Sequence, residues 1–277
     1  MKGFLNLGNT CYLNSGLQLL MNIPEFCQLI LNNKNISNEM SLLAEFIILY
    51  HSDNNGSLKP KFIKKIISKT NNIFSGFSQE DSQEFLIYFL DFIDNQIKNN
   101  LLNDLLAMKI NKIIKCKALS CLNQSITKEN RLFLMLDIKD NFKELNDSYR
   151  NYKIREKLEN DNRYFCEKCD KKRIASKRIE VSKWPKNLII VLKRFQQDGY
   201  NFSKNETFLD IPNNWRHNYK LKGGVLHSGR LGGGHYVYFG NYNNKWYLFD
   251  DSHISKIKLN QLNDYKKRAY LLHYRME

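Results

Sequence analysis

At 277 residues the chain is long enough to bury a full core, as one large domain or two lobes, and its 42% hydrophobic and 26% charged residues are an ordinary globular mix. No stretch approaches the ~20 consecutive apolar residues of a membrane span, and Asn6, Asn9 and Asn14 break every apolar run near the N-terminus, which excludes a spanning helix and a signal-peptide core. The formal net charge of +15 favours non-specific contact with polyanions, yet the basic residues are spread without a long block, as on a solvated lysine-rich surface rather than a dedicated nucleic-acid site.

In chain order, the first hundred residues read as mainly helical. The stretch GFLNLGNTCYLNS places Gly8 where a tight turn is permitted, and Asn9 or Thr10 where either can cap a following helix. Leu13, Leu17, Leu20 and Met21 then recur at helical spacing, and Pro24 ends the pattern. Cys11 falls in the first turn, where the positive helix end and exposed amides favour a thiolate, although a lone cysteine serves equally as a buried core group. Asn6, five residues earlier, offers a side-chain amide to a developing oxyanion. Cys27, in PEFCQLIL, reads as core packing. Phe85, Leu86, Phe89, Ile93 and Ile97 form a second apolar stripe, with Ser78 and Asp81 resembling a capping box at its start.

The polar, Lys- and Asn-rich middle holds four cysteines in two pairs. Cys166 and Cys169 form a CxxC knuckle, and Cys116 and Cys121 form a pair with four intervening residues; two such pairs about 45 residues apart suit a closed tetrahedral zinc site. The cytosolic or nuclear setting expected for this chain keeps thiols reduced, so its six cysteines read as reactive, metal-binding or buried groups before disulfides.

The last hundred residues read as strands. Asn187 to Phe195 is a buried-strand candidate; Tyr236 to Phe239 and Lys245 to Phe249 look like paired strands separated by Gly240 and the turn Asn243-Asn244. Gly232 to Gly234 let the backbone pass close to a ligand, and His235 follows at the mouth of a strand, where an imidazole can face a cleft. Asp250 ends the neighbouring strand and can accept from that ring, fixing its tautomer. His227 is the rival base, ranked second because no carboxylate follows it so directly. Helices first and strands later give an α+β fold with a cleft between lobes.

These residues resemble a known family. GFLNLGNTCYLNSGLQLL is similar to the cysteine box of ubiquitin-specific proteases, and YKLKGGVLHSGRLGGGHYVYFGNYNNKWYLFDDSHIS to their histidine box. SQEDSQEFLIYFL resembles the Gln-Gln-Asp motif before a helix, with Glu80 where a second Gln is common, and WPKNLIIVLKRF resembles the strand before the histidine box. The blocks occur in the family's order and span nearly the whole chain. Met1 lies two residues before the first block, so no targeting or adaptor domain is expected ahead of the catalytic unit.

The resemblance implies a papain-like core with a helical thumb (about 1–105), zinc-bearing β fingers (about 106–180) and a β-sheet palm (about 181–277), together one catalytic domain. It implies a thiol-dependent deubiquitinase with Cys11 as nucleophile, His235 as base, Asp250 as its orienter and Asn6 as oxyanion donor. Asp251 is a substitute or assistant for Asp250. Asp81 and Glu84 match positions that accept hydrogen bonds from the ubiquitin tail, with helix capping a further role for Asp81; Tyr236 is a wall of the glycine channel or a core residue. Cys116, Cys121, Cys166 and Cys169 would hold structural zinc, although Ala118 stands where the family's first cysteine falls and Cys116 lies two residues earlier.

The implied partners are ubiquitin and ubiquitinated proteins, met by a monomer. Ubiquitin's tail and contact face are basic, so Glu80, Asp81 and Glu84 must outweigh the global field. Three alternatives stand beside this reading: a protease for a ubiquitin-like modifier, a catalytically silent ubiquitin-binding relative, and a basic zinc-containing nucleic-acid binder.

Overall fold

The computed structural model describes residues 1–54, 56–198, 201–230 and 233–277. Gly232, expected beside the base, lies outside them.

Six helices occupy the first hundred or so residues: α1 (Cys11–Met21), α2 (Pro24–Asn32), α3 (Asn38–His51), α4 (Lys61–Thr70), α5 (Ser82–Ile97) and α6 (Leu101–Leu106). Pro24 does more than end the first pattern. It opens α2 at the first helical position, where its missing N–H is no loss. The α5 stripe is as expected, with Phe85, Leu86, Phe89 and Ile93 fully buried, but Ser78 does not cap it. The helix starts at Ser82, too late for Ser78, and the Asp81 carboxylate takes the cap, accepting from the Gln83 and Glu84 amides at 2.7 and 3.0 Å. A carboxylate there also complements the positive helix end.

The second half is a sheet packed on both faces. Its strands run, in spatial order, His253–Lys256, Lys245–Asp250, Gly233–Tyr242, Tyr219–Arg230, Ala269–Met276, Asn187–Lys193 and Phe133–Asp137, with Asn214–Trp215 beside Tyr219–Arg230. Only the last pair of the path is parallel. Ile189 and Val191 pack into one core with the helices, while Leu188, Ile190 and Leu192 pack into a second core with Tyr149, Trp215 and Tyr274. Successive side chains of a strand point to opposite faces, so a strand covered on both sides reads as the continuous apolar run NLIIVL.

Tyr242 pairs with Lys245 across Asn243 and Asn244, whose φ values of 49° and 61° suit a tight two-residue hairpin turn. Gly240 is no part of that turn. It sits inside its strand opposite Tyr247, where the Tyr238 ring leaves no room for a side chain.

The middle of the chain forms a separate four-stranded sheet, in the order Gln124–Arg131, Met108–Cys116, Ala175–Lys183 and Glu156–Leu158, and a short hairpin of Tyr164–Cys166 with Lys171–Arg173. No helix is long and apolar enough to cross a membrane among the described residues.

Candidate active site and cysteine cluster

Every residue of α1 is buried, so its polar side chains need partners, and they find them in the surrounding elements. Gln18 donates to the Lys2 carbonyl at 2.8 Å and accepts from Tyr50 at 2.7 Å; Asn14 donates to Asp251 at 2.7 Å. These bonds fix the helix that carries Cys11 as its first residue, 2% exposed.

The loop before Cys11 is shaped by Asn6 and Thr10. The Asn6 side-chain oxygen accepts from the amides of Gly8 and Thr10, both at 3.0 Å. Gly8 has φ of +102°, a conformation that costs glycine nothing, and Asn9 has φ of 53°. Thr10 occupies the cap position, but its hydroxyl turns back to accept from Leu7 at 2.8 Å and makes no side-chain cap bond, nor does Asn9, which donates to the Phe77 carbonyl. Loop bonding wins over helix capping here, and the first-turn amides beside Cys11 keep their affinity for negative charge.

His235 stands near the start of Gly233–Tyr242, and its Nε2 lies 2.6 Å from Asp250 Oδ1 at the end of Lys245–Asp250. A hydrogen bond with the Cys11 side chain, then the bond and charge of Asp250, raise the imidazole pKa to about 9 against the opposing effect of burial. The side chains of His235 and Asp250 remain 44% and 47% exposed, so the relay is open to solvent. His227 is arranged differently. It is buried between the Phe195 and Tyr236 rings, at centroid distances of 5.2 and 4.6 Å, and burial pushes its pKa down to about 4. Its ring has no carboxylate partner among the described residues.

The two adjacent carboxylates divide their work. Asp251, at φ of 50°, keeps a carboxylate oxygen within 4.8 Å of the His235 ring but spends its hydrogen bonds elsewhere, accepting from Asn6 Nδ2 at 2.8 Å and Asn14 Nδ2 at 2.7 Å. It therefore anchors the loop of the nucleophile to the sheet. An amide nitrogen carries two hydrogens, so Asn6 retains one donor beyond the one given to Asp251.

Asp81 clamps α5 to the sheet. Beyond its two cap bonds, Oδ1 accepts from the Tyr270 hydroxyl at 3.0 Å and Oδ2 from the Tyr236 hydroxyl at 2.9 Å. Burial raises its pKa while these four donors lower it, and the net direction is up. Tyr236 is 6% exposed, and its hydroxyl points to this clamp. Glu84, one turn on, is exposed; burial and the charges of Asp81 and Glu80 raise its pKa.

Sequence reasoning missed two residues. Gln79 accepts from the Gly234 amide, tying the segment before α5 to the backbone next to His235. Its signal lies in SQEDSQE, where Gln79 is the first Gln of the motif and Glu80 the departure from it. Arg194 is 2% exposed and donates to four backbone carbonyls, those of Ala269, Asn205, Thr207 and Lys267, at 2.7 to 3.0 Å. An arginine ending an apolar strand reads as surface, and nothing local announces that its partners come from two other segments.

The remaining cysteines gather as the spacing suggested. The sulfurs of Cys116, Cys121, Cys166 and Cys169 all lie within 4.8 Å of one another, and Cys121 Sγ and Cys166 Sγ are 3.7 Å apart. Four thiolates around zinc at about 2.3 Å would stand about 3.8 Å apart, so the donor set and its size fit that metal, and the four-residue loop from Cys116 to Cys121 brings both of its sulfurs into the cluster. Burial opposes ionisation of Cys166, yet bonds from Asn123, at 3.4 Å, and from its sulfur neighbours bring the thiol down to about 6. Cys27 is buried in the helical core, as expected, with its thiol pushed up to about 12 by burial.

The chain as a whole has counterparts among known proteins. The ubiquitin carboxyl-terminal hydrolase family model matches residues 2–274. Ubiquitin carboxyl-terminal hydrolase 3 of Homo sapiens is 25% identical over 98% of this chain and 67% of its own length. The probable ubiquitin carboxyl-terminal hydrolase 16 of Schizosaccharomyces pombe is 27% identical over 99% of the chain and 66% of its length. The chain thus spans about two thirds of these relatives. Among solved structures, the SAGA DUB module of Ubp8, Sgf11, Sus1 and Sgf73 bound to monoubiquitin aligns over 100% of this chain and 69% of its own, with a TM-score of 0.85 and 27% identity. The same module bound to ubiquitin aldehyde gives 0.82 and 26%. With that family model matched from residue 2 to residue 274 and the fold matched over its full length, the chain belongs to the ubiquitin carboxyl-terminal hydrolase family.

Proposed function

We propose that this chain is a thiol-dependent deubiquitinase that cleaves the bond after the C-terminal glycine of ubiquitin. The observation that carries the reading is the relay from Cys11 through His235 to Asp250, brought together from segments over two hundred residues apart. The sulfur of Cys11 attacks the glycine carbonyl carbon while its proton resides on His235. The oxygen that becomes negative accepts from the free Asn6 hydrogen, whose aim Asp251 sets. His235 then gives its proton to the departing lysine amine, the C–N bond breaks, and a thioester remains. Water, losing a proton to His235, attacks that thioester and releases ubiquitin and the thiol.

The tail of ubiquitin would run past Tyr236, Asp81 and Glu84. Asp81 Oδ2 holds one hydrogen bond and has a lone pair to offer; Glu84 is exposed one turn further along. The helical part, the cysteine-bearing sheet and the large sheet would serve as thumb, fingers and palm of one catalytic unit. Structural zinc would sit among Cys116, Cys121, Cys166 and Cys169 and cross-link the fingers, with no part in the chemistry. Six cysteines with no disulfide among them suit a reducing compartment, cytoplasm or nucleus.

The test is turnover of a fluorogenic ubiquitin C-terminal amide beside its ubiquitin-like counterparts. Turnover of the ubiquitin substrate, lost in Cys11→Ala, supports the reading. A protein that folds but neither turns over the substrate nor reacts at Cys11 with a ubiquitin C-terminal electrophile rejects it, and preference for another modifier reassigns the substrate.

A further inference from the structure

We propose that the tip of the cysteine-bearing sheet is a docking surface for an acidic protein segment that carries apolar side chains between its carboxylates. Two loops meet there, because Cys121 on one touches Cys166 on the other at 3.7 Å. The first loop, between Met108–Cys116 and Gln124–Arg131, holds out Leu119 at 97% exposure and Leu122 at 80%. The second is the hairpin of Tyr164–Cys166 with Lys171–Arg173. Phe165 pairs with Lys172 across it, so both lie on the face away from Cys166, and Phe165 is 53% exposed. The two exposed leucines of the first loop, with Phe165 on the outer face of the hairpin, exceed what these turns need, since polar residues would close either loop as well.

The surroundings decide the partner's charge. Residues 115–123 and 163–173 carry seven basic side chains against Glu167 and Asp170. Elsewhere on this sheet some basic residues are paired, Lys177 with Glu156 at 2.7 Å and Arg178 with Glu180 at 3.0 Å, while Lys109, Lys112 and Lys128 make no ion pair among the described residues. At the tip Lys115, Lys117, Lys168, Lys171 and Lys172 are exposed and make no ion pair among the described residues. Apolar anchors ringed by unpaired lysines complement a carboxylate-rich surface with leucine-like side chains. Nucleic acid would use the lysines but leave Leu119 and Leu122 against a polar backbone. The inference does not depend on the proposed chemistry at Cys11.

The probe is a fluorescein-labelled helical peptide of alternating Glu-Glu and Leu-Leu pairs, compared with its Lys-Lys/Leu-Leu counterpart and with duplex DNA, by anisotropy against the full chain in physiological salt. The acidic peptide should bind, with the Lys peptide at least tenfold weaker. L119S/L122S should weaken binding about tenfold or more. K168E/K171E/K172E should abolish it. These exposed substitutions should leave the melting curve unchanged, together with turnover of the fluorogenic ubiquitin substrate, a separate readout of the Cys11 chemistry. Absence of acidic-peptide binding overturns the proposal. So does binding that survives L119S/L122S, or duplex DNA binding more tightly than the peptide and indifferent to those leucines.

Discussion

The molecule holds two cysteine sites built on opposite physics. At the cleft, a single thiol is surrounded by groups already satisfied by protein: Asn6 held by Asp251, His235 held by Asp250, and α1 locked through Asn14 and Gln18. In the middle sheet, four thiols face mainly one another, with Asn123 as a polar neighbour, and their cluster packs apart from both large cores. A site framed by cores can hold strained loops and a raised imidazole pKa without metal. A site on a four-stranded sheet with little core of its own leans on cross-linking for rigidity. The comparison teaches that the same residue type is read by what surrounds it, and each half of it can be broken separately.

The largest expected effect is at the cleft. Cys11→Ala should abolish turnover while shifting the melting temperature little, since the side chain shrinks by one atom at the helix end. His235→Ala should lower kcat by roughly three to four orders of magnitude, the range of general acid–base help combined with loss of thiol activation. If His227 were the base, His235→Ala would keep near-normal rates and His227→Gln would lose them. Steady-state kinetics on the fluorogenic substrate distinguishes the two.

Next come the paired carboxylates. Asp250→Asn should lower kcat roughly a hundredfold or more and lower the His235 pKa, because both the bond and the charge at 2.6 Å contribute to it. Asp251→Asn should cost about tenfold to a hundredfold, through misdirection of Asn6, and leave the His235 titration in place. NMR titration of the His235 ring beside kcat separates them. Equal pKa changes in both variants would show that the two carboxylates act as one unit.

The metal half is sharper in stability than in rate. If zinc holds the cluster, Cys166→Ser or chelation should release the middle sheet alone. Amide exchange should then accelerate in Met108–Cys116 and Ala175–Lys183 while Asn187–Lys193, buried on both faces, stays protected. Turnover of a small fluorogenic substrate should fall less than tenfold. Uniform exchange loss across both sheets would mean that the fold melts as one unit, and metal analysis of the intact protein gives the zinc content directly.

How much of this was legible follows from range. The α5 stripe, the Asn243-Asn244 turn and the NLIIVL strand were readable because each is determined within a few residues by periodicity or turn geometry. The approach of Cys11, His235 and Asp250 was readable only as a constellation, since thiol chemistry requires a base that local pattern cannot place. The middle strands were expected only through the family resemblance, because Gln124–Arg131 is exposed along most of its length and shows no apolar alternation. The split between Asp250 and Asp251 was hidden for another reason: it depends on a positive φ at Asp251 that no neighbouring residue signals. The Asp81 clamp and the Arg194 staple likewise depend on partners drawn from distant segments.

The smallest effect, and the finest test of the cleft, is the dependence of stability on pH. His235 is held protonated in the folded chain up to about 9, against 6.5 for an unperturbed imidazole. A raised folded pKa contributes stability fully below 6.5 and loses it as pH climbs from 6.5 through about 9. The buried rings of His227 and His273, lowered to about 4 and about 3, act in the opposite direction: their contribution is present above 6.5 and is lost as pH falls towards those values. These three histidines together place a stability maximum near pH 6.5, flanked by an alkaline limb from His235 and an acid limb from the buried pair. Because the bond with Cys11 is the largest cause of the His235 shift, Cys11→Ala should shrink the alkaline limb and leave the acid limb untouched. Urea midpoints measured in closely spaced pH steps read both limbs at once. An alkaline limb unchanged in Cys11→Ala would assign the raised imidazole to Asp250 alone and remove the thiol from the relay.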